Sequence, residues 1–380
     1  MKKVRFIHAA DFHLDASLSG SSMNARQRKE RQRELLDTFI SVIDKAIGEK
    51  VDFLIIAGDL FEHRTVRRST IEEIYRQFQR IPHIPIFITP GNHDPLLANS
   101  YYRILKWPAH VHIFGGHFQK IELSDLSVDL YGFGYESYRI TNNPFETLSI
   151  EKNSHYKILT FHGSYLPGKG VKDDYLSFTQ DLIPSLEVDY IALGHFHECR
   201  RIEGRGEKPV CFYSGCPEPI GFDEMGEKGV LLVELDGSRI GTSFIRTQKR
   251  QYHTVQLDLS PYSTSYDVYK GLESLQFPGN PDLDIYRVNL VGAAHRGLHL
   301  DLNALNQWFC SKRYRGVIVD QSQDEYDLNY LREDRGLAGM FLRKMEKRIA
   351  SEPNGKKREI LQMAMTYGLD ALLGGEVREE

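Results

Sequence analysis

The 380-residue sequence is poor in cysteine: it has four, Cys199, Cys211, Cys216 and Cys310, and no two form a CxxC pair. That excludes a disulfide framework and a structural zinc knuckle, and predicts reduced thiols. Long apolar runs are also missing. No stretch approaches the roughly 18 residues that a membrane span needs, and the opening MKKVRFIHAADFH reaches polar residues before an apolar segment of signal-peptide length. A cytoplasmic protein without a membrane partner is expected. Neither charge dominates. With a formal net charge of -4 the whole molecule does not attract polyanions, so any affinity for nucleic acid has to be local. Internal repeats and low-complexity tracts are absent, and a composition 41% hydrophobic and 26% charged excludes a disordered or fibrous chain.

What the chain does have is five short apolar, β-branched runs, VRFIHAAD, VDFLIIAGD, IPIFITPGNHD, KILTFHG and VDYIALGHFH, each closing on Asp, Asn or His. Continuous apolar runs of this length read as buried strands, and ligands collect beyond the carboxyl ends of such strands. Between the first two runs, from about 24 to 50, Leu35, Leu36, Phe39, Ile40, Ile43 and Ile47 recur at helical spacing, and a second helix is expected near 67–80. The alternation predicts an α/β fold whose sheet is parallel in at least part. The basic cluster Arg26, Arg28, Lys29, Arg31 and Arg33 reads as the solvated face of the first helix. After Gly221 the runs GVLLVELD, GTSFIRT and YHTVQLDL predict a second sheet or a subdomain. A small α/β appendage is expected over about 260–320, and two charged helices interrupted by SEPNGKK over about 334–373. The length suits a catalytic domain over 1–250, a capping domain over 251–330 and a helical region over 331–380.

The candidate site residues are Asp11, His13, Asp59, Asn92, His93, Asp94, His162, His195 and His197. In DFH and HFH the outer side chains are two residues apart, so on extended backbone they point to one side and can converge. Unpaired imidazoles and carboxylates are costly to bury, so such a set means metal binding, catalysis or an extended hydrogen-bond network.

DFH, GDLFEH, GNHD, FHG and GHFH, in that order, resemble the five blocks of calcineurin-like metallophosphoesterases over roughly residues 4–235. The resemblance implies a sandwich of two β-sheets flanked by helices, with a dinuclear site at the strand ends. It implies one metal on Asp11, His13 and His197, the other on Asn92, His162 and His195, and Asp59 bridging them. It makes His93 a non-ligand that donates to the scissile phosphate or protonates the leaving oxygen, with Asp94 orienting it; Asp94 before Pro95 also reads as a plain turn residue. Two cations roughly 3.5 to 4 Å apart bind phosphate oxygens and activate a water for in-line attack. Mixed imidazole and oxygen donors suit Mn, Fe or Zn better than Mg, and the resemblance favours Mn2+.

Within that superfamily IHAADFHLD, YSGCPEPIGFDE and RQYHTVQLDL resemble the SbcD and Mre type of DNA repair nucleases, and among these the bacterial YhaO proteins. The departures are Cys216, where Ser is common, and Glu62 and His63. Glu62, His63 and Arg64 stand where protein phosphatases of this superfamily carry Asp-Arg-Gly, which counts against a phosphatase. If DNA is the substrate, Arg64, Arg67, Arg68, Arg200 and Arg201 are the nearest groups for its phosphates, in salt-sensitive contacts. The resemblance further implies a homodimer working with an SMC-like coiled-coil ATPase on the C-terminal helices. The apolar residues of REILQMAMTYGLDALL either cover their own domain or dock that partner. The competing readings are a nucleotide or cyclic-nucleotide phosphodiesterase and a non-catalytic scaffold for an ATPase.

Overall fold

The computed structural model describes residues 2–18, 23–140, 144–166, 175–179, 181–203, 209–295, 298–312, 315–324, 326 and 328–373. The chain divides into two compact units, Met1–His253 with Gly279–Ile285, and Thr254–Pro278 with Tyr286–Glu380.

The first unit is a sandwich of two six-stranded sheets. One sheet runs in the order Arg239–Arg246, Gly229–Asp236, Val4–Ala9, Phe53–Ile56, Ile86–Ile88, Val111–Ile113; the other runs Arg200–Ile202, Val210–Tyr213, Tyr190–Gly194, Tyr156–His162, Val128–Phe133, Gln119–Leu123. All five motif-bearing runs are strands, and Val4–Ala9, Phe53–Ile56 and Ile86–Ile88 are mutually parallel, as are Tyr156–His162 and Tyr190–Gly194. Two-residue alternation assigns the faces. Val4, Phe6, Phe53, Ile55 and Phe87 point between the sheets and meet Val128, Leu130, Ile158, Tyr190 and Ala192. Ile7, Ala9, Leu54, Ile56, Ile86 and Ile88 point outward against Leu35, Phe39, Val42, Ile71, Ile74 and Phe78 of the helices Ala25–Gly48 and Arg68–Gln79. The longer helix starts where Asn24 and Gln27 cap each other's backbone N–H groups, at 3.0 and 2.9 Å. His8 joins the sheets: it lies fully buried with Nδ1 3.0 Å from the Tyr190 hydroxyl and Nε2 3.0 Å from Leu193 O.

Two expectations are corrected. The first two runs after Gly221 do not open a new sheet, because Gly229–Asp236 pairs antiparallel with Val4–Ala9 and Arg239–Arg246 pairs outside it, whereas YHTVQLDL does enter a separate three-stranded sheet. The first strand's free edge needs a partner, and which late strand supplies it is a long-range choice that a local apolar pattern cannot encode. Arg31 is not on a solvated face. It falls on the buried stripe with Leu35, Thr38 and Phe39, where its guanidinium meets Glu34, Glu218 Oε1 at 2.8 Å and Pro219 O at 2.7 Å.

The second unit is built on a three-stranded sheet in the order Tyr252–Asp258, Ile285–Val291, Arg315–Asp320, and its helices Ser265–Ser274 and Leu302–Ser311 enclose Leu259, Val268, Leu272, Val288, Leu305 and Phe309. The helices Leu328–Glu333, Leu337–Ser351 and Gly355–Leu373 form a smaller cluster around Leu331, Ala338, Leu342 and Leu369. No helix among the described residues is long and apolar enough to cross a membrane.

Candidate metal centre

Beyond the strand ends the loops keep pairing. Asp11 N donates to Gly58 O and His13 N to Asp59 O, both at 3.0 Å, Leu14 N donates to Leu60 O at 3.1 Å, and Glu62 N donates to Leu14 O at 3.0 Å, so DFH and GDLFEH lie side by side. His63 N donates to His93 O at 3.0 Å and draws in GNHD. Asp11, His13, Asp59 and His195 are held at φ of 54°, 45°, 51° and 111°. Such backbone costs on the order of 1–3 kcal/mol per residue, and here the paired loops impose it. Two motif glycines make room: a Cβ on Gly58 would lie 2.3 Å from His162 Nδ1, and one on Gly91 would lie 2.2 Å from Asp59 Oδ1.

The side chains converge. His13 Nε2 and His197 Nε2 face each other at 3.1 Å, and Asp11 stands within reach of both. His162 donates from Nδ1 to Ala57 O at 3.0 Å, while its Nε2 lies 2.9 Å from Asn92 Oδ1 and 3.2 Å from Asp59 Oδ2. Asp59 Oδ2 is also 3.7 Å from His13 Nε2, so this one oxygen stands between the two imidazole sets. His195 donates its backbone N–H to both Asp11 oxygens at 3.1 Å, and its ring packs edge-on against His162 with centroids 5.1 Å apart.

This donor set fits divalent cations. Each of His13 and His197 has Nδ1 against a carboxylate, at 2.7 Å from Glu62 and 2.5 Å from Glu224, which turns Nε2 of both rings into the shared gap, where a cation can take the place of the proton on His197. At His162, Nε2 faces Asn92 Oδ1 and Asp59 Oδ2, a set that a cation can bind in place of the ring's proton. The electrostatics agree. Burial pushes the His162 pKa down, but Asp59 and Asp11 outweigh it and hold it at about 9. Burial opposed by Glu224 and Asp11 likewise leaves His197 at about 9. Asp59 is held well below the usual carboxylate range because His162 and His13 outweigh its burial. A field that holds protons this firmly draws metal ions too.

The sequence profile of the calcineurin-like phosphoesterases matches residues 4–199, half of the chain. The chain belongs to that family. The uncharacterized metallophosphoesterase YhaO of Bacillus subtilis is 31% identical over 266 residues, which cover 67% of this chain and 63% of that protein, so the chain spans just under two thirds of that relative. The DNA double-strand break repair protein Mre11 of Thermoplasma acidophilum is 26% identical over 285 residues, 69% of this chain and 72% of its own. That of Sulfolobus acidocaldarius is 24% identical over 339 residues, 84% of this chain and 85% of its own.

Asp94 does not orient the His93 ring. Its carboxylate accepts N–H groups of Asp59 at 3.1 Å and of Leu60 and Gly91 at 2.7 Å, together with the Tyr102 hydroxyl at 2.7 Å, which makes it a brace between two site loops. Burial and the nearby Asp59 charge raise its pKa to about 6. The His93 ring is held by Glu62 instead, with Nδ1 2.9 Å from Oε2. Sequence reasoning missed Glu62 and Glu224 as supports of site imidazoles, although both sit inside segments it singled out. Cys216 joins the second support by donating its S–H to Glu224 Oε2 at 3.5 Å, and all four cysteines are free thiols.

The five arginines separate. Arg67 is tied to buried Asp15, with Nε 3.0 Å from Oδ1; Arg68 reaches Glu72 at 2.9 Å; Arg201 lies 3.9 Å from Glu203. Arg64 stacks on Tyr138, its Cζ 4.9 Å from the ring centre, and Arg200 on Phe196 at 5.5 Å. Neither has a carboxylate partner among the described residues.

Proposed function

We propose that this chain is a metal-dependent phosphodiesterase that hydrolyses DNA in repair. Asp11, His13 and His197 would hold one cation and Asn92, His162 and His195 the other, with Asp59 available to both. The observation that carries this reading is the position of Asp59 Oδ2, 3.7 Å from His13 Nε2 and 3.2 Å from His162 Nε2. Two divalent cations there supply Lewis acidity to a phosphodiester and a nucleophile at neutral pH. Mixed imidazole and carboxylate donors favour manganese over magnesium.

The chain's own residues supply the rest. His93, half-exposed beside the imidazole cluster, is the donor to the leaving oxygen. Asp94 fixes the loops that carry Asp59 and Asn92. Arg64 and Arg200, stacked and without a carboxylate partner among the described residues, are the groups for flanking phosphates, and a cleft of about 500 Å³ beside the imidazoles is lined by His195, His197, Arg200 and Lys228 together with Glu198, Asp223 and Glu224. The Mre11 relatives, named for double-strand break repair, support DNA as the substrate. On the same reading the working assembly is a homodimer with a coiled-coil ATPase, and the exposed side chains of Tyr330, Met340, Ile360 and Met363 are the surface offered to it.

The test is an assay of the purified protein with manganese on single-stranded, double-stranded and hairpin DNA, beside bis-p-nitrophenyl phosphate and cyclic nucleotides. Cleavage of DNA and of the nitrophenyl diester is expected. Turnover of cyclic nucleotides alone would transfer the site to a small-molecule phosphodiesterase, and no turnover at all would leave a scaffold.

A further inference from the structure

Lys228 carries an ammonium that the fold does not neutralise. The residue is 3% exposed, and its backbone is fixed just before the strand Gly229–Asp236, with its N–H donated to Gln248 Oε1 and its carbonyl accepting from Thr247 N at 3.2 Å. An ammonium has three N–H donors and no acceptor, yet among the described residues Nζ meets His197 O alone, at 2.8 Å. No carboxylate among them pairs with it. Glu224 turns both oxygens elsewhere, Oε1 to His197 Nδ1 and Oε2 to Ile220 N at 2.7 Å and to the Cys216 thiol. A buried cation without a partner is costly, so the remaining donors are placed for an anion.

That anion has a way in. Lys228, Arg200, His195 and His197 line the same cleft of about 500 Å³. Arg200 is exposed, its guanidinium stacked on Phe196 at 5.5 Å, and like Lys228 it has no carboxylate partner among the described residues. An ammonium and a guanidinium left open beside a metal centre suit a phosphate, whose oxygens accept from both. Glu198 and Asp223 also line the cleft but are exposed, and their charges oppose a long polyanionic stretch more than one phosphate held against Lys228. The cleft also has a side. His13 packs against His93 with ring centroids 4.7 Å apart and against His197 at 4.8 Å, so the imidazoles run His93, His13, His197, and it is His197 that lines the cleft.

We propose that Lys228 and Arg200 form a subsite for one further phosphate of the substrate strand, on the portion that keeps the scissile phosphate. This rests on the phosphodiesterase reading above, in which His93 stands at the leaving oxygen. The departing portion lies on the His93 side, and the retained portion runs past His197 into the cleft. A second anchor fixes the direction in which a strand crosses the site, and that direction decides which of its two ester oxygens faces His93.

The substrates are a dinucleoside phosphate and the same molecule with one more phosphate on either its 5′ or its 3′ end; the products show which nucleoside keeps the scissile phosphate. At saturating manganese the wild type is expected to cleave the isomer with the extra phosphate on that nucleoside about 10- to 100-fold better in kcat/KM than the other two substrates. Lys228→Met and the exposed Arg200→Ala should each shrink that preference about 10-fold, and Lys228→Arg should restore much of it. Equal rates on the three molecules, a preference for the opposite isomer, or cleavage of bis-p-nitrophenyl phosphate alone would overturn the proposal while leaving the phosphodiesterase reading in place. So would a Lys228→Met variant that slows all three equally, since the ammonium would then act only through His197 O. Relief of inhibition by inorganic phosphate in that variant, with no isomer preference in the wild type, would give the cleft to the free anion and overturn its assignment to the strand. A wild-type protein inactive on every diester would overturn both readings.

Discussion

Glu224 Oε1 lies 2.5 Å from Nδ1 of His197, a contact that fixes which imidazole nitrogen faces His13. Partners of this kind set both the tautomer and the basicity of a metal-binding imidazole. Glu224→Gln is expected to weaken metal affinity about 10- to 100-fold without loss of fold. Calorimetric titration of the metal-free protein with manganese measures it, and an unchanged affinity would remove Glu224 from the site.

Asp59→Ala is expected to lose both cations, since its Oδ2 is the oxygen common to the two imidazole sets. Loss of one equivalent only, by elemental analysis, would make Asp59 an ordinary ligand of a single ion.

His93→Ala should retain its metals and lose about 10²- to 10⁴-fold in turnover of poor leaving groups. Its ring meets Glu62 and the edge of His13. Metal loss in this variant would make it a ligand.

Burial pushes the His8 pKa down to about 3, against a partial opposing pull from Leu193 O. The unfolded chain therefore binds a proton that the folded one refuses between about pH 6.5 and 3. His8 favours the fold fully above that window, and the contribution is lost as pH falls through it, at up to about 1.4 kcal/mol per pH unit. His8→Gln should flatten the stability profile of the metal-free protein there by up to one proton, as read from urea unfolding at a series of pH values. Parallel profiles would show that His8 takes no part in acid sensitivity.

The helix Gly355–Leu373 has two kinds of apolar residue: Leu369 is 1% exposed against Leu331, Ala338 and Leu342, whereas Ile360 is 64% exposed. Leu369→Ala should cost the second unit about 2–5 kcal/mol, while Ile360→Glu with Met363→Glu should shift stability by no more than about 0.5 kcal/mol each. Differential scanning calorimetry separates them. On the proposed assembly the double surface variant also stops co-eluting with the coiled-coil ATPase, and retained co-elution would place that contact elsewhere.

The sequence by itself determined the strands and their polar ends, because a buried strand is a local apolar run; the DFH and HFH side chains converge not from extended backbone, as their two-residue spacing suggests, but from loops that hold Asp11, His13 and His195 at positive φ. It also determined the helices Ala25–Gly48 and Arg68–Gln79, whose periodicity is read within a few turns. Tertiary structure decided what depends on residues distant in the chain. Glu62 reaches His13 across 49 positions and Glu224 reaches His197 across 27, and nothing local distinguishes these carboxylates from solvated ones. Asp94 read as a partner for its neighbour His93, yet the fold turned it towards backbone N–H groups of Asp59 and Leu60. Arg31 carried a faint signal, four positions before Leu35 on the buried stripe, but only Glu218, 187 positions away, explains why a guanidinium can be buried there. A charge is tolerated inside a protein only where its partner is, and that partner's position is a property of the fold.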